Sequence, residues 1–313
     1  PGVLRAGYSL LPTLPRGNSD LNTAMRRWLP VLFSASLFTI AQQVAVRIAS
    51  GLPAGSGSAL SYGIVFYQLP FGVFSASIAT VFFPAFSDRG ARGDTTGLAR
   101  SASVASETLF ALLLPSAVLL VVLAEPLVMV TLQGGRFTRE ASMLTARVLQ
   151  WYALGLVGAG WFNLLQRMSY ARGDYASPLR ISVAVVVLNV GLSLLLVART
   201  QSVIGLPLAN SISFSVGAIL LLVVQRSSVG SLLQPGQVRS ILGIVLASAG
   251  IGVFLEVGRR LLAPLYQQGR SLSSFSAVAL LGLAAVVGYL LLLRLGGVTT
   301  VRALLVRGST GTR

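Results

Sequence analysis

Residues 62–86 read YGIVFYQLPFGVFSASIATVFFPAF, from Tyr62 to Phe86, without one charged side chain. These twenty-five residues exceed the roughly 20 that a helix needs to cross a hydrocarbon layer ~30 Å thick. Working outward, runs of similar length and apolarity recur at residues 28–50, 105–123, 143–166, 179–198, 204–225, 240–257 and 274–294. A membrane β-barrel would instead show alternating segments of about ten residues. The connections carry the chain breakers: Gly51-Leu52-Pro53-Ala54-Gly55, Gly134-Gly135, and Gly173-Asp174 before Pro178. The sequence predicts an all-α, polytopic membrane protein of about eight transmembrane helices.

Composition agrees with that reading and removes several functions. Of the 313 residues, 54% are hydrophobic and only 10% charged, against roughly 25% charged in a soluble globular chain. There is no His, Cys or Lys, so all 24 basic residues are Arg, set against eight acids for a net charge of +16. Thiolate and imidazole metal ligands, disulfides, and Cys-His or Ser-His-Asp catalysis are thereby absent. No enzymatic reaction, metal or cofactor is expected. The Arg residues stand singly between apolar runs and form no basic block interleaved with aromatics, so nucleic acid is not an expected partner.

Arg placement predicts orientation, because cytoplasmic loops retain positive charge. Sixteen Arg residues fall on the side shared by both ends, including Arg89, Arg92, Arg100, Arg172, Arg180, Arg226 and Arg239. Seven fall opposite: Arg136, Arg139, Arg147, Arg199, Arg259, Arg260 and Arg270. Both ends of this segment are therefore expected in the cytoplasm, with residues 1–27 as a cytoplasmic linker. The first residue is Pro1, and the chain is expected to begin partway through a longer protein. Two further segments, at residues 125–137 and 298–307, are read as interfacial helices or membrane-proximal loops. Glu107, Arg147 and Glu256 lie near the ends of spans and are expected to be solvated.

The second span holds Tyr67-Gln68-Leu69-Pro70-Phe71-Gly72-Val73-Phe74, then Ile78-Ala79-Thr80 and Phe83-Pro84-Ala85-Phe86-Ser87. It resembles the "QLPxGVF…AT…P…S" segment of MurJ/MviN proteins. Further stretches follow in the family's order: Leu123-Ala124-Glu125-Pro126, Gly135-Arg136-Phe137-Thr138, Tyr152-Ala153-Leu154-Gly155-Leu156, and Tyr170-Ala171-Arg172-Gly173-Asp174 leading to Pro178-Leu179-Arg180-Ile181. The resemblance covers roughly residues 28–225; beyond, only hydropathy matches. It implies two six-helix lobes around a central cavity plus two extra helices. Residues 28–226 would be the second, C-terminal lobe, and 227–313 two additional transmembrane helices with a cytoplasmic tail. Partners implied are lipid II or a related polyprenyl-pyrophosphate saccharide, membrane lipid, and an N-terminal six-helix lobe lying outside this segment. The implied function is movement of lipid II across the bacterial cytoplasmic membrane by alternating access. A multidrug or polysaccharide exporter of the same superfamily, and an envelope-synthesis scaffold without transport, remain alternatives.

A diphosphate and a sugar crossing hydrocarbon need a polar, cationic path. Arg47 is the one Arg counted within a span, with Gln43 on the same helical face and Gln42 adjacent. It is read either as a phosphate contact or as a side chain snorkelling to the nearby interface. Tyr67 and Gln68 precede Pro70, which can kink the helix toward the cavity; Gln68 either lines that cavity or bonds a neighbouring helix. Many family members carry an Asp-Arg pair and a Glu in this helix, where this chain has Ile64, Val65 and Gln68. Asn163, Gln166, Asn189 and Asn210 are read first as interhelical bonds. The Leu-, Val- and Ala-rich last two helices either cradle a polyprenyl tail or face lipid.

Overall fold

The computed structural model describes residues 19–230, 237–266 and 271–295. The expected amphipathic segment at 298–307 lies outside them. Among the described residues every regular element is helical, apart from an isolated bridge between Gly134 and Phe137 that closes the Gly134-Gly135 turn.

Helix α1 (Ser19–Ser50) begins inside the expected linker, so residues 19–27 are helical, and its apolar stretch Trp28–Ser50 coincides with the first predicted span. Next come α2 (Ser56–Pro70), a π-helical turn (Phe71–Ala76) and α3 (Ser77–Ala91), which together form one 36-residue span. Pro70 has no N–H to offer the carbonyl one turn back, and the chain widens into a π turn instead of breaking. Ser75, wholly buried in that turn, accepts a hydrogen bond from Asn163 Nδ2 at 3.1 Å and donates to the Gly160 carbonyl at 3.5 Å.

Helix α4 (Thr95–Leu132) starts at Asp94, whose carboxylate accepts the Gly97 N–H at 2.8 Å. It runs 38 residues, overturning the expectation of a separate interfacial segment from Glu125. Burial carries the helix through Pro126: Met129 and Val130 pack with Tyr266 and Val278, and Glu125 accepts an ion pair from Arg259 at 3.1 Å. Helices α5 (Arg139–Leu154) and α6 (Leu156–Ala171) meet at a 44° bend at Gly155. There the Gly155 N–H turns to the Tyr152 carbonyl, and the hydroxyl of Ser211 donates to the Trp151 oxygen at 2.6 Å. A neighbouring helix thus satisfies a carbonyl that the bend leaves open. A Cβ at Gly155 would fall 2.5 Å from the Ser211 Cα, so the close approach itself requires glycine. The fold is completed by α7 (Ala176–Thr200), α8 (Gly205–Val229), α9 (Gln237–Leu261), the short α10 (Ala263–Tyr266) and α11 (Leu272–Leu295).

Seven of the described helices are long and apolar enough to cross a membrane, or eight spans if the α5–α6 pair is one crossing. Packing decides for eight. Along α4 and α9, Ser103 meets Gln237, Glu107 meets Ser240, Val118 lies against Gly252, and Glu125 pairs with Arg259. The two helices therefore run parallel. An even number of crossings must separate the start of one from the start of the other, which the bent pair supplies only if it crosses.

Large apolar side chains cover much of the outer surface, as lipid solvation allows, while a set of polar side chains lies inside beside the apolar core. Val81 is 73% exposed and Leu246 63%, while Ser75, Ser182 and Ser213 are fully buried. Several interior polar groups bond between helices: Gln166 Nε2 to Ser182 Oγ at 2.9 Å, Gln225 Nε2 to the Leu165 carbonyl at 2.7 Å, and Trp161 Nε1 to Ser106 Oγ at 3.1 Å. One core joins α1 to α8. Helices α9 and α11 instead pack on α4, through Ala111 with Ile251 and Leu293 and through Leu123 with Leu255 and Ala285. The Tyr289 hydroxyl donates to the Ala111 carbonyl at 2.7 Å. Glu107, expected to be solvated, is buried, accepting from the Ser240 hydroxyl and from Gln237 Nε2. The helix that holds it starts at Thr95, not near Ala105, and the partner helix that covers it was invisible in the sequence.

Candidate functional site

Four helical stripes converge on a cavity of ≈ 350 Å³, toward the small end of ligand pockets, which run roughly 300–1,000 Å³. Helix α1 presents Phe38, Gln42 and Val46, one face at a spacing of four residues. The last turns of α2 present Ser61, Ile64, Tyr67 and Gln68, and Phe71 follows in the π turn. Helix α7 adds Val185 and Asn189; α8 adds Leu206, Asn210 and Phe214, again four apart. Tyr152 and Ala159, on either side of the Gly155 bend, supply the remaining wall.

The expected site residues divide across this geometry. Gln42, Tyr67 and Gln68 line the cavity. Tyr67 is buried, its ring 5.4 Å from Tyr152 and 5.9 Å from Phe71 between centroids. Gln42 and Gln68 are exposed, on the cavity's open side. Gln68 lies on the lining and makes no side-chain bond to another helix among the described residues. Gln43 and Arg47 share the adjacent exposed face of α1 and are not part of the lining. At 100° per residue, Arg47 points about 140° from Gln42. Asn163 and Gln166 bond between helices as read from the sequence. Asn189 and Asn210 line the cavity instead; the available signal was their place in the four-residue stripes of α7 and α8.

Every polar group on the lining is neutral: carboxamides of Gln42, Gln68, Asn189 and Asn210, the Ser61 hydroxyl, and phenols of Tyr67 and Tyr152. Ile64 lines the cavity, and Val65, 55% exposed, is not part of the lining. Among the described residues no group of His, Cys, Asp or Glu could hold a metal ion. A second, apolar groove of ≈ 310 Å³ lies between α9 and α11, lined by residues such as Gly250, Phe254, Gly288 and Leu291.

Comparison with known proteins places this arrangement. A probable lipid II flippase MurJ from Borreliella burgdorferi is 30% identical over 217 residues, covering 69% of this chain and 43% of that protein. A counterpart from Bdellovibrio bacteriovorus is 27% identical over 277 residues, covering 86% of this chain and 52% of that protein. The chain thus spans about half the length of the curated relatives it matches. A solved structure described as lipid II flippase MurJ in an inward closed conformation superimposes with a TM-score of 0.70 at 22% identity, covering 97% of this chain and 59% of that one. A MOP superfamily transporter from Pyrococcus furiosus shares the fold at a TM-score of 0.54 and 17% identity, over 83% of this chain and 60% of that chain. Residues 1–291 match the family model described as lipid II flippase MurJ. A multipass, all-helical chain with this match over most of its length belongs to the MurJ family.

Proposed function

We propose that this chain forms one transport lobe and the accompanying helical pair of a lipid II flippase, which carries its cargo between leaflets by alternating access. Residues 28–226 are the lobe, and 227–313 the pair with its tail. The observation that carries the reading is the polar cavity between α1, α2, α7 and α8 in a chain of this family. Buried, uncommitted polar groups at membrane depth are costly and mark a hydrated or ligand-bearing path. A second six-helix lobe closes the open side where Gln42 and Gln68 lie. The apolar groove between α9 and α11 takes the polyprenyl tail, and Arg47 with Gln43 meets the pyrophosphate on the flank of α1. Both ends of the segment face the cytoplasm. The protein makes and breaks no bond; its work is differential binding on the two faces of the membrane.

A second reading is favoured by one observation, the absence of any charged side chain on the lining: a scaffold that has lost transport. Binding of lipid II and of a hydrophobic cation to the purified chain in nanodiscs separates the possibilities. Saturable lipid II binding without cation binding is expected. The reverse result would favour a multidrug exporter, and binding of neither would favour the scaffold.

A further inference from the structure

Two adjacent spans are interrupted at the same depth. The second span and the α5–α6 span run parallel and in register: a Cβ at Gly63 would fall 2.7 Å from a Val148 methyl, the rings of Tyr67 and Tyr152 lie 5.4 Å apart, and the Ser75 hydroxyl reaches the Gly160 carbonyl. Each of these pairs is separated by 85 residues, and the same offset sets Gly155 level with Pro70. One interruption is the π turn that follows Pro70; the other is the 44° bend at Gly155. Proline and π turns are usual seats of helix kinks, and a π turn inside a helix often marks a functional site.

The two sides of this level are fastened differently. Past the interruptions, α6 is bonded to three neighbours through side chains: Trp161 to Ser106 on α4, Gln166 to Ser182 on α7, and Ser169 to Gln225 of α8. Before them, α2 makes no side-chain hydrogen bond to another helix among the described residues, and its Ser61 hydroxyl returns to its own Gly57 carbonyl. It packs closely on α5 through Gly63 and the tyrosine rings, and α5 bonds α4 from Gln150 to the Val121 carbonyl at 3.0 Å. Helix α4 shows how an interruption is closed. Pro115 leaves the Ala111 carbonyl without its helical donor, the Tyr289 hydroxyl of α11 takes that carbonyl at 2.7 Å, and α4 continues through all 38 residues.

We propose that Pro70 and Gly155 form a common hinge inside the lobe, about which α2 and α5 swing as one block and set the width of the cavity. The block carries Ser61, Ile64, Tyr67, Gln68 and Tyr152 of the lining, while Asn189 stands on the facing wall. A swing therefore reshapes the cavity without turning the whole lobe. Ser75 is the pin: wholly buried in the π turn, it bonds Asn163 and Gly160 on the fastened side. The inference goes beyond the transport reading, because it concerns movement within the lobe whatever the cavity takes.

The test uses the full chain in nanodiscs without cargo, spin labels on pairs of introduced cysteines, and distance distributions from pulsed EPR; the chain has no cysteine of its own. Gly57→Cys with Thr200→Cys reaches from the block to the end of α7. Arg92→Cys with Arg226→Cys joins the far ends of α3 and α8, and Gly57→Cys with Glu140→Cys stays within the block. The first distribution is expected to be about twice as broad as the other two, as hinge motion requires. Pro70→Ala, which restores a backbone donor, should narrow it to their width. Ser75→Ala, which removes one buried hydroxyl, should broaden it further or shift its centre, so a folding defect in one variant leaves the other as a reading. Equal breadth of the first and second pairs, a third pair as broad as the first, or a first pair unchanged by both variants would each overturn the hinge. No arm contains cargo, so failure of the hinge leaves the transport reading standing.

Discussion

At the scale of single residues, Gln42 and Arg47 illustrate what one sequence can and cannot disclose. Both lie in the same apolar run, and only the neighbours supplied by α2, α7 and α8 place one on the cavity and the other off it. The proposed pyrophosphate contact at Arg47 predicts that Arg47→Ala lowers cargo affinity by ~1.5–3 kcal/mol, the scale of a hydrogen bond to a charged group. Arg47→Lys should recover part of this, since it keeps the charge and loses the two-pronged geometry. Lipid II binding at matched membrane abundance checks both. Full function with Lys, and altered insertion with Gln, would assign Arg47 to snorkelling instead. Gln225 supports a second prediction. It is 1% exposed, and its amide donates to the Leu165 carbonyl and to Ser169 Oγ. Gln225→Leu leaves that carbonyl without its cross-helix donor and should cost ~1–3 kcal/mol, read as a lowered Tm of the purified protein. Asn163 and Asn189 looked alike in sequence because helical spacing tells which face a residue occupies, and nothing of what stands opposite.

At the scale of elements, the order and approximate extent of the spans were legible, since hydrocarbon thickness sets a length that composition reveals. The irregularities were not. Pro70 announced a disturbance without saying that it would be a π turn pinned by Ser75 and Asn163. The bend at Gly155 depends on Ser211, fifty-odd residues away in sequence and in contact only after folding. Gly155→Ala should destabilise the protein by ~1–3 kcal/mol, because its methyl meets the Ser211 backbone, which cannot rotate aside as a side-chain end can. Ser211→Ala should cost less, about 1 kcal/mol for one hydrogen bond. Thermal melts in detergent give the ranking, and a Gly155→Ala variant as stable as wild type would show that α6 and α8 can separate freely. Glu125 teaches the same lesson: Glu-Pro after an apolar run reads as a boundary, and the ion pair with Arg259 on α9 makes it the continuation of a helix.

For the whole molecule, the proposed orientation gives a direct measurement. Single cysteines at Gly57 and Ser177, in a chain that has none of its own, lie at opposite ends of the spans. A Cβ at Gly57 meets nothing within 4 Å. An impermeant thiol reagent applied to intact cells should label Gly57→Cys and spare Ser177→Cys; the opposite pattern would invert the topology. The contacts between α4 and α9 carry a further consequence. Glu107 with Ser240, and Glu125 with Arg259, fasten the two parallel helices at two points about 27 Å apart at 1.5 Å per residue; between those points α4 carries no charge, and α9 carries only Glu256, one turn from Arg259 and paired with it. The spacing works as a gauge of membrane thickness. In a bilayer whose hydrocarbon core departs from it, α4, α9 and the α11 that packs on both must tilt together or the lipid must stretch or thin, at fractions of a kcal/mol per Å, so lipid chain length becomes a variable that sets the angle of the whole lobe.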